Sequence, residues 1–157
     1  MRLVPVSPTD AVPAALLADY FAERAAGFPT PGGYRPATAD PAAFAPPHGL
    51  FLLLEEDDGT PLGCGGLRTL PPTSDGGRME VKHLYVVPAA RGRGLGRRLL
   101  AALETAARDA GARTLVLDTN RSLEAAGGLY RSAGFLPVPP FNDNPNATDW
   151  YGKALTR

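Results

Sequence analysis

Residues 86–100, VVPAARGRGLGRRLL, set Arg91, Arg93, Arg97 and Arg98 among Gly92, Gly94 and Gly96, between a β-like run and an apolar helical pattern. The N-terminus of a helix carries partial positive charge and normally favours acidic residues. Four arginines there are electrostatically misplaced unless an anion joins them. The backbone can supply the rest of an anion site, because the first turn of a helix leaves N–H groups unpaired and pointing outward. Glycine lets a ligand approach that backbone closely, and guanidinium groups add charge-assisted hydrogen bonds to phosphate oxygens. A solvated Gly/Arg loop that only keeps the surface polar has the same composition, so the stretch alone says "anion" and no more. A P-loop is excluded because no lysine followed by serine or threonine closes the turn. The dinucleotide fingerprint is excluded because it needs a third small residue at position 97, where this chain has arginine.

The segments around this turn alternate between the two periods of regular structure. RLVPV reads as a first strand limited by Pro5, and residues 10–27 as a helix capped by Ser7 or Thr9, with Val12, Leu16, Leu17, Tyr20 and Phe21 on its apolar side. GFPTPGGYRP is a loop, and DPAAFAPPHG holds at most one helical turn. LFLLLEED and PLGCGGLRTL flank an Asp-Gly turn and predict a hairpin. In GGRMEVKHLYVVP, Val81, His83 and Tyr85 alternate against Lys82, Leu84 and Val86, so both faces carry apolar side chains and the strand is central. Leu95, Leu99 and Leu103 then recur at helical spacing up to Gly111. RTLVLDTN is a buried strand, Ser122 caps a helix through Ser132, and FLPVPPF and TDWYGKAL are the last strands, separated by the loop NDNPN. This order predicts one domain over residues 1–157, an α/β fold with a mixed sheet packed by helices.

Composition narrows the function. The 157 residues are 44% hydrophobic and 20% charged with a net charge of zero, which predicts a soluble globular protein and argues against nucleic acid or a membrane as partner. Lysine contributes only two of the sixteen basic residues, so arginine content by itself is weak evidence for a site. The lone Cys64 cannot form an internal disulfide, and no cysteine/histidine cluster has metal spacing, so no metal is expected. MRLVPVSPTD lacks the pattern of a signal peptide, and no apolar run reaches membrane-spanning length, which leaves a reduced, cytoplasmic protein as the expectation.

Arg91-Gly-Arg-Gly94-Leu-Gly96 resembles the Arg/Gln-x-x-Gly-x-Gly/Ala signature of the GNAT family of acetyl-CoA-dependent N-acetyltransferases. MEVKHLYVVPAARGRGLGRRLL is similar to that family's fourth strand and third helix, and AAGGLYRSAGF to a later helix. The likeness is strong over residues 78–136 and weak before residue 50, and PPFNDNPNATDW resembles a recurrent group of small bacterial members. The resemblance implies the GNAT acyl-CoA N-acyltransferase fold: a central mixed, mostly antiparallel sheet of six to seven strands flanked by about four helices. It implies that Arg91, Gly92, Arg93, Gly94, Leu95, Gly96 and Arg97 hold the pyrophosphate of coenzyme A. Leu84, Tyr85, Val86 and Val87 would pair with its pantetheine arm, the strand bulging at Val86–Val87 before Pro88. Many members carry a coenzyme-contacting asparagine seven residues before the family's tyrosine. That position is Leu123 here, so Asn120 either takes the role from another spot or only begins the helix.

Acetylating an amine needs a deprotonated nitrogen, a polarised thioester carbonyl and a proton for the departing thiolate. The family attacks directly within a ternary complex, so Cys64 is expected as a small apolar strand residue. By the resemblance Tyr130 is the general acid, a phenol being protonated at neutral pH; the alternative is a core tyrosine beside Phe135. Glu80, eleven residues before Arg91, matches the catalytic glutamate of the family's histone acetyltransferases. Its open roles are base, amine ligand, or ion-pair partner of Lys82 or Arg78. His83 is expected as a packed histidine and His48 on the surface, while Tyr34, Arg35, Asn142, Asp143, Asp149 and Trp150 fall in segments able to line an acceptor cleft. The function implied is transfer of acetyl from acetyl-CoA to a primary amine of a small molecule or peptide, with homodimers common among such folds. The competing class is an acyl-CoA-binding sensor without catalysis, and a third is a phosphate-ligand binder outside the family.

Overall fold

The computed structural model describes residues 1–156, so Arg157, the last residue of the expected domain, lies outside it. Its strands are β1 (Arg2–Pro5), β2 (Gly49–Glu55), β3 (Pro61–Thr73), β4 (Gly76–Val86), β5 (Thr114–Thr119), β6 (Leu136–Pro137) and β7 (Asp149–Ala154). They form one sheet in the order β1-β2-β3-β4-β5-β7-β6, with β4 at its centre as its two apolar faces predict. Every pairing is antiparallel except β4 with β5, which is parallel. The helices are α1 (Ala11–Ala26), α2 (Leu95–Asp109) and α3 (Glu124–Ser132), with a 3-10 turn at Pro88–Ala90. Among the described residues three helices stand where about four are implied. Residues 28–48 form turns instead, since Pro29, Pro31, Pro36, Pro41, Pro46 and Pro47 deny that stretch a helical hydrogen-bond ladder.

Strand alternation divides the interior between the two faces. Leu52 and Leu54 of β2 join Leu95, Leu99 and Leu103 of α2 and Phe135 in the larger core. Phe51 and Leu53 join Leu16 and Leu17 of α1, Phe44 and Cys64 in the smaller one. Cys64 is fully buried there, as a small apolar strand residue should be. Each fully buried leucine contributes roughly 1.5–3 kcal/mol, so α2 is docked mainly by its four-residue leucine repeat.

Two local expectations are corrected at helix starts. Asp10, not Ser7 or Thr9, is the N-cap of α1, and its carboxylate instead accepts the Ser7 N–H at 3.0 Å. Leu123 is the N-cap of α3, so Ser122 does not cap it. The FLPVPPF strand shrinks to Leu136–Pro137, because Pro139 and Pro140 have no N–H to give a neighbour.

The strict alternation expected along β4 also fails, and the failure shapes the site. Between Lys82↔Gly66 and Tyr85↔Cys64, β4 carries one more residue than β3, and His83 there has φ +57. That is a β-bulge with a left-handed residue. One inserted residue turns every later side chain to the opposite face: Met79 and Val81 lie in the larger core, whereas Tyr85 lies in the smaller. The bulge is thus at His83–Leu84, upstream of the expected Val86–Val87. Val87 is still bonded to the sheet, its N–H donating to Leu62 O at 2.9 Å, and Val86 O accepts Arg91 Nε at 3.0 Å.

Candidate functional site

Pairing of β4 with β5 ends at Glu80↔Val116, while β5 continues to Thr119 against β7. The sheet therefore opens between its two central strands just beyond the bulge. Two hollows meet at that opening. One, of about 660 Å³, runs along Leu84, Tyr85 and Val86 to Arg91 and the Gly92–Arg97 turn, walled opposite by the start of α3. The other, of about 370 Å³, lies between α1, β4, β5 and the loops at Tyr34 and Asn142–Asn146. Tyr20, Arg24, Leu84, Leu123, Ala126 and Tyr130 line both.

The glycine turn is an amide cradle. Gly92 and Gly94 have φ +78 and +74, and a Cβ built on either would meet nothing within 4 Å. The left-handed conformation there disfavours side chains, and the space above it is open. The first helical donor to find an acceptor is Arg98 N–H, on Gly94 O at 3.1 Å. Among the described residues, the N–H groups of Gly92 through Arg97 have no backbone acceptor. The arginines, misplaced by the sequence argument, are tethered elsewhere. Arg91 pairs with Glu23 at 2.8 Å and Arg93 with Glu56 at 2.9 Å, Arg97 donates to Ser132, and Arg98 to Met1 O. Their charge surrounds the cradle while the backbone forms its floor.

The second hollow is built by side chains. Glu80 faces the Arg68 pair across β3 and has no exposed surface. Its Oε2 accepts from Arg68 Nε at 2.8 Å. Lys82 Nζ stands 3.0 Å from Oε1, off the hydrogen-bonding direction, so that oxygen has an ionic partner and no hydrogen bond. Lys82 also holds both oxygens of Asp118, at 2.9 and 3.0 Å, and Asn142 Nδ2 donates to Asp118 at 2.6 Å. Burial raises the Asp118 pKa, but the Lys82 ammonium and these hydrogen bonds outweigh it, and the carboxyl is held below its usual value. His83 packs against Tyr20, Phe21 and Phe44; desolvation first, then the Lys82 and Arg68 charges, press its imidazole down to about 4. It is neutral at physiological pH. Burial pushes the Tyr130 phenol well above the ordinary tyrosine value.

A family model described as the acetyltransferase (GNAT) family matches residues 15–135. The chain belongs to that family. A protein named as an uncharacterized N-acetyltransferase of Schizosaccharomyces pombe is 37% identical over 102 residues, 65% of this chain and 61% of that one. The chain spans less than two thirds of the length of the curated relatives it matches. A Klebsiella pneumoniae structure, provisionally assigned as an acyl-CoA N-acyltransferase, superposes with a TM-score of 0.75 at 28% identity, covering 99% of this chain and 97% of that one. A Salmonella typhimurium structure, provisionally assigned as an acetyltransferase and solved with its cofactor acetyl-CoA, gives a TM-score of 0.67 at 22% identity, covering 100% of this chain and 96% of that one. The second likeness shows the shared GNAT fold.

Within this GNAT fold, Leu84, Tyr85, Val86, Arg91, Gly92, Gly94, Leu95, Gly96, Arg97 and Tyr130 come together along the longer hollow. Arg93 and Val87 do not line it with their side chains: Arg93 is drawn to Glu56, and the Val87 N–H is used by Leu62. Asn120 lines neither hollow. It is 3% exposed; its Nδ2 ties down the C-terminal loop through Asn146 O at 3.1 Å, and its Oδ1 accepts the Ser122 N–H at 3.0 Å in the turn before α3. Glu80 reaches the shorter hollow only through the head groups of Arg68 and Lys82. Of the cleft segments singled out from sequence, Tyr34 and Asn142 line that hollow. Arg35 is held through its backbone by Asn146, Trp150 donates to Asn142 at 2.9 Å, and Asp149 pairs with Arg121.

Sequence reasoning missed Arg24. It sits four residues after Tyr20 and eight after Leu16, on the buried side of α1. A charged residue in step with an apolar stripe was the available signal.

Proposed function

We propose that the chain is an acetyl-CoA-dependent N-acetyltransferase acting on a primary amine, carried by one catalytic domain. The observation that carries this is the junction of the two hollows, where an amide cradle at one end and a charged chamber at the other share Tyr130 on a common wall. The cradle fits a pyrophosphate, because consecutive unpaired N–H groups and a helix N-terminus bind anions without needing a side chain. Leu84, Tyr85 and Val86 offer the pantetheine arm an apolar wall along the opened strand. An acetyl thioester bound this way is the electrophile.

The amine enters from the charged chamber and its nitrogen lone pair attacks the carbonyl carbon as the C–S bond breaks. Tyr130 holds its proton throughout, since burial lifts its pKa above the ordinary value. An ordinary thiol has a pKa near 8.5, so full transfer from this phenol to a thiolate runs uphill. Tyr130 therefore acts as a hydrogen-bond donor to the departing sulfur, and the proton shed by the nitrogen completes the thiol. Glu80 holds Arg68 and Lys82 in place at the chamber wall.

Coenzyme A release from acetyl-CoA across a panel of amines, beside calorimetric titration with coenzyme A, tests this function. Turnover on an amine together with coenzyme binding is the expected result. Binding without turnover on any amine would make the chain an acyl-CoA-binding module, and no binding at all would overturn both.

A further inference from the structure

The geometry points to Arg24 as the acceptor's anchor: the amine substrate carries a carboxylate that pairs with this guanidinium, which makes the substrate a free amino acid or a close analogue. This inference rests on the acetyl-transfer function proposed above.

Arg24 is 9% exposed and lines both hollows. Burying a charge is costly unless an opposite charge meets it. Every other cation of the chamber has a carboxylate: Arg68 has Glu80, and Lys82 has Glu80 and Asp118. Arg24 belongs to none of the ion pairs among the described residues. Its neighbours are Tyr34, whose ring centroid lies 5.5 Å from the guanidinium carbon, and Tyr20. Burial raises both phenols, Tyr34 to about 12, so neither becomes an anion at physiological pH. The carbonyl end of α1 favours a cation in its last turn, but that effect is satisfied equally by an exposed arginine. The neighbouring Glu23 is turned to Arg91 instead.

The position also limits the substrate. Arg24 and Tyr130 wall the same junction, so a carboxylate on one and a nitrogen beside the other must be close together in the same molecule. An α- or β-amino acid meets that condition. A polyamine does not, and the Arg24 charge, which has no carboxylate among the described residues, repels it further. The chamber's volume of about 370 Å³ suits one small molecule, and Tyr20, Phe21 and Tyr34 give an apolar side chain a surface to lie on.

The test pairs amino acids with their methyl esters and decarboxylated amines, assayed by coenzyme A release with wild type, Arg24→Met and Arg24→Lys. Wild type should prefer the carboxylate-bearing member of each pair. Arg24→Met should raise KM for the amino acid by roughly 10- to 100-fold, the range for a charged hydrogen bond. It should erase the preference and leave KM for acetyl-CoA unchanged, while Arg24→Lys keeps part of the preference. Thermal melts check that each variant folds. Preference for the ester or amine, or a change confined to acetyl-CoA KM, would overturn the inference. If no amine is turned over, the acetyl-transfer function fails separately, and calorimetry of coenzyme-loaded protein with the amino acids decides the anchor: binding lost in Arg24→Met supports it, and no binding to wild type ends it.

Discussion

The two hollows are made differently. The longer one is a continuous piece of chain: residues 84–97 supply its floor and one end, largely through backbone N–H groups and small or apolar side chains. The shorter one draws Arg24 from α1, Tyr34 from a proline-rich turn, Lys82 from β4, Asp118 from β5 and Asn142 from a loop near the C-terminus. A backbone site depends on local conformation and tolerates most side-chain change outside its glycines. A side-chain site depends on distant elements meeting, and its charges must balance on assembly. In the proposed function the first kind recognises a constant group, the second a variable one.

That contrast can be broken most directly at Gly94. Gly94→Glu forces a side chain into left-handed backbone and places a carboxylate over the cradle. Coenzyme A affinity should fall by about 100-fold or more in calorimetry with the circular dichroism spectrum intact. A fold-intact variant that still binds would remove the backbone cradle from the comparison. Tyr130→Phe probes the shared wall. A lost hydrogen bond to developing negative charge should lower kcat roughly 10- to 100-fold with little change in acetyl-CoA KM, and undiminished turnover would leave Tyr130 as packing alone. Glu80→Gln unbalances Arg68 and Lys82 on the side-chain half. Loss of about 3 kcal/mol in denaturant unfolding is expected, with acceptor KM raised and the pH profile of kcat unchanged. A flattened acidic limb would instead mark Glu80 as the base.

A further effect, on pH dependence, develops only in acid. Folding lowers the His83 pKa from 6.5 to about 4, so between those values the unfolded chain binds a proton that the folded one refuses. Stability should be full above about pH 6.5 and decline towards pH 4, by up to about 3 kcal/mol. His83→Asn, which tolerates the left-handed backbone, should flatten that slope in thermal melts across the range.

Legibility followed the same division. The Arg91–Gly96 turn, the leucine repeat of α2 and the LYRSAGF segment are short-range patterns, and they carried the family and the fold. The bulge was expected three residues too late, because Val86–Val87–Pro88 looks like an interruption while nothing local marks His83 as left-handed. The arginines beside the cradle drew attention as ligands, yet Arg93 and Arg98 are committed to Glu56 and Met1, partners 37 and 97 residues away. Arg24 went unnoticed because a charge at one helical position gains meaning only once its surroundings are known to be closed.

By itself the sequence determined the elements and their order, the central place of β4 and the glycine turn that opens α2, all governed by periods of two and 3.6 residues and by backbone freedom at glycine. Tertiary structure alone decided where β4 parts from β5 and which charges find partners. It also left Arg24 buried at the junction of the hollows without a carboxylate among the described residues. Charge balance is a property of groups brought within a few ångströms of one another, and only folding brings residues 24, 68, 82 and 118 that close.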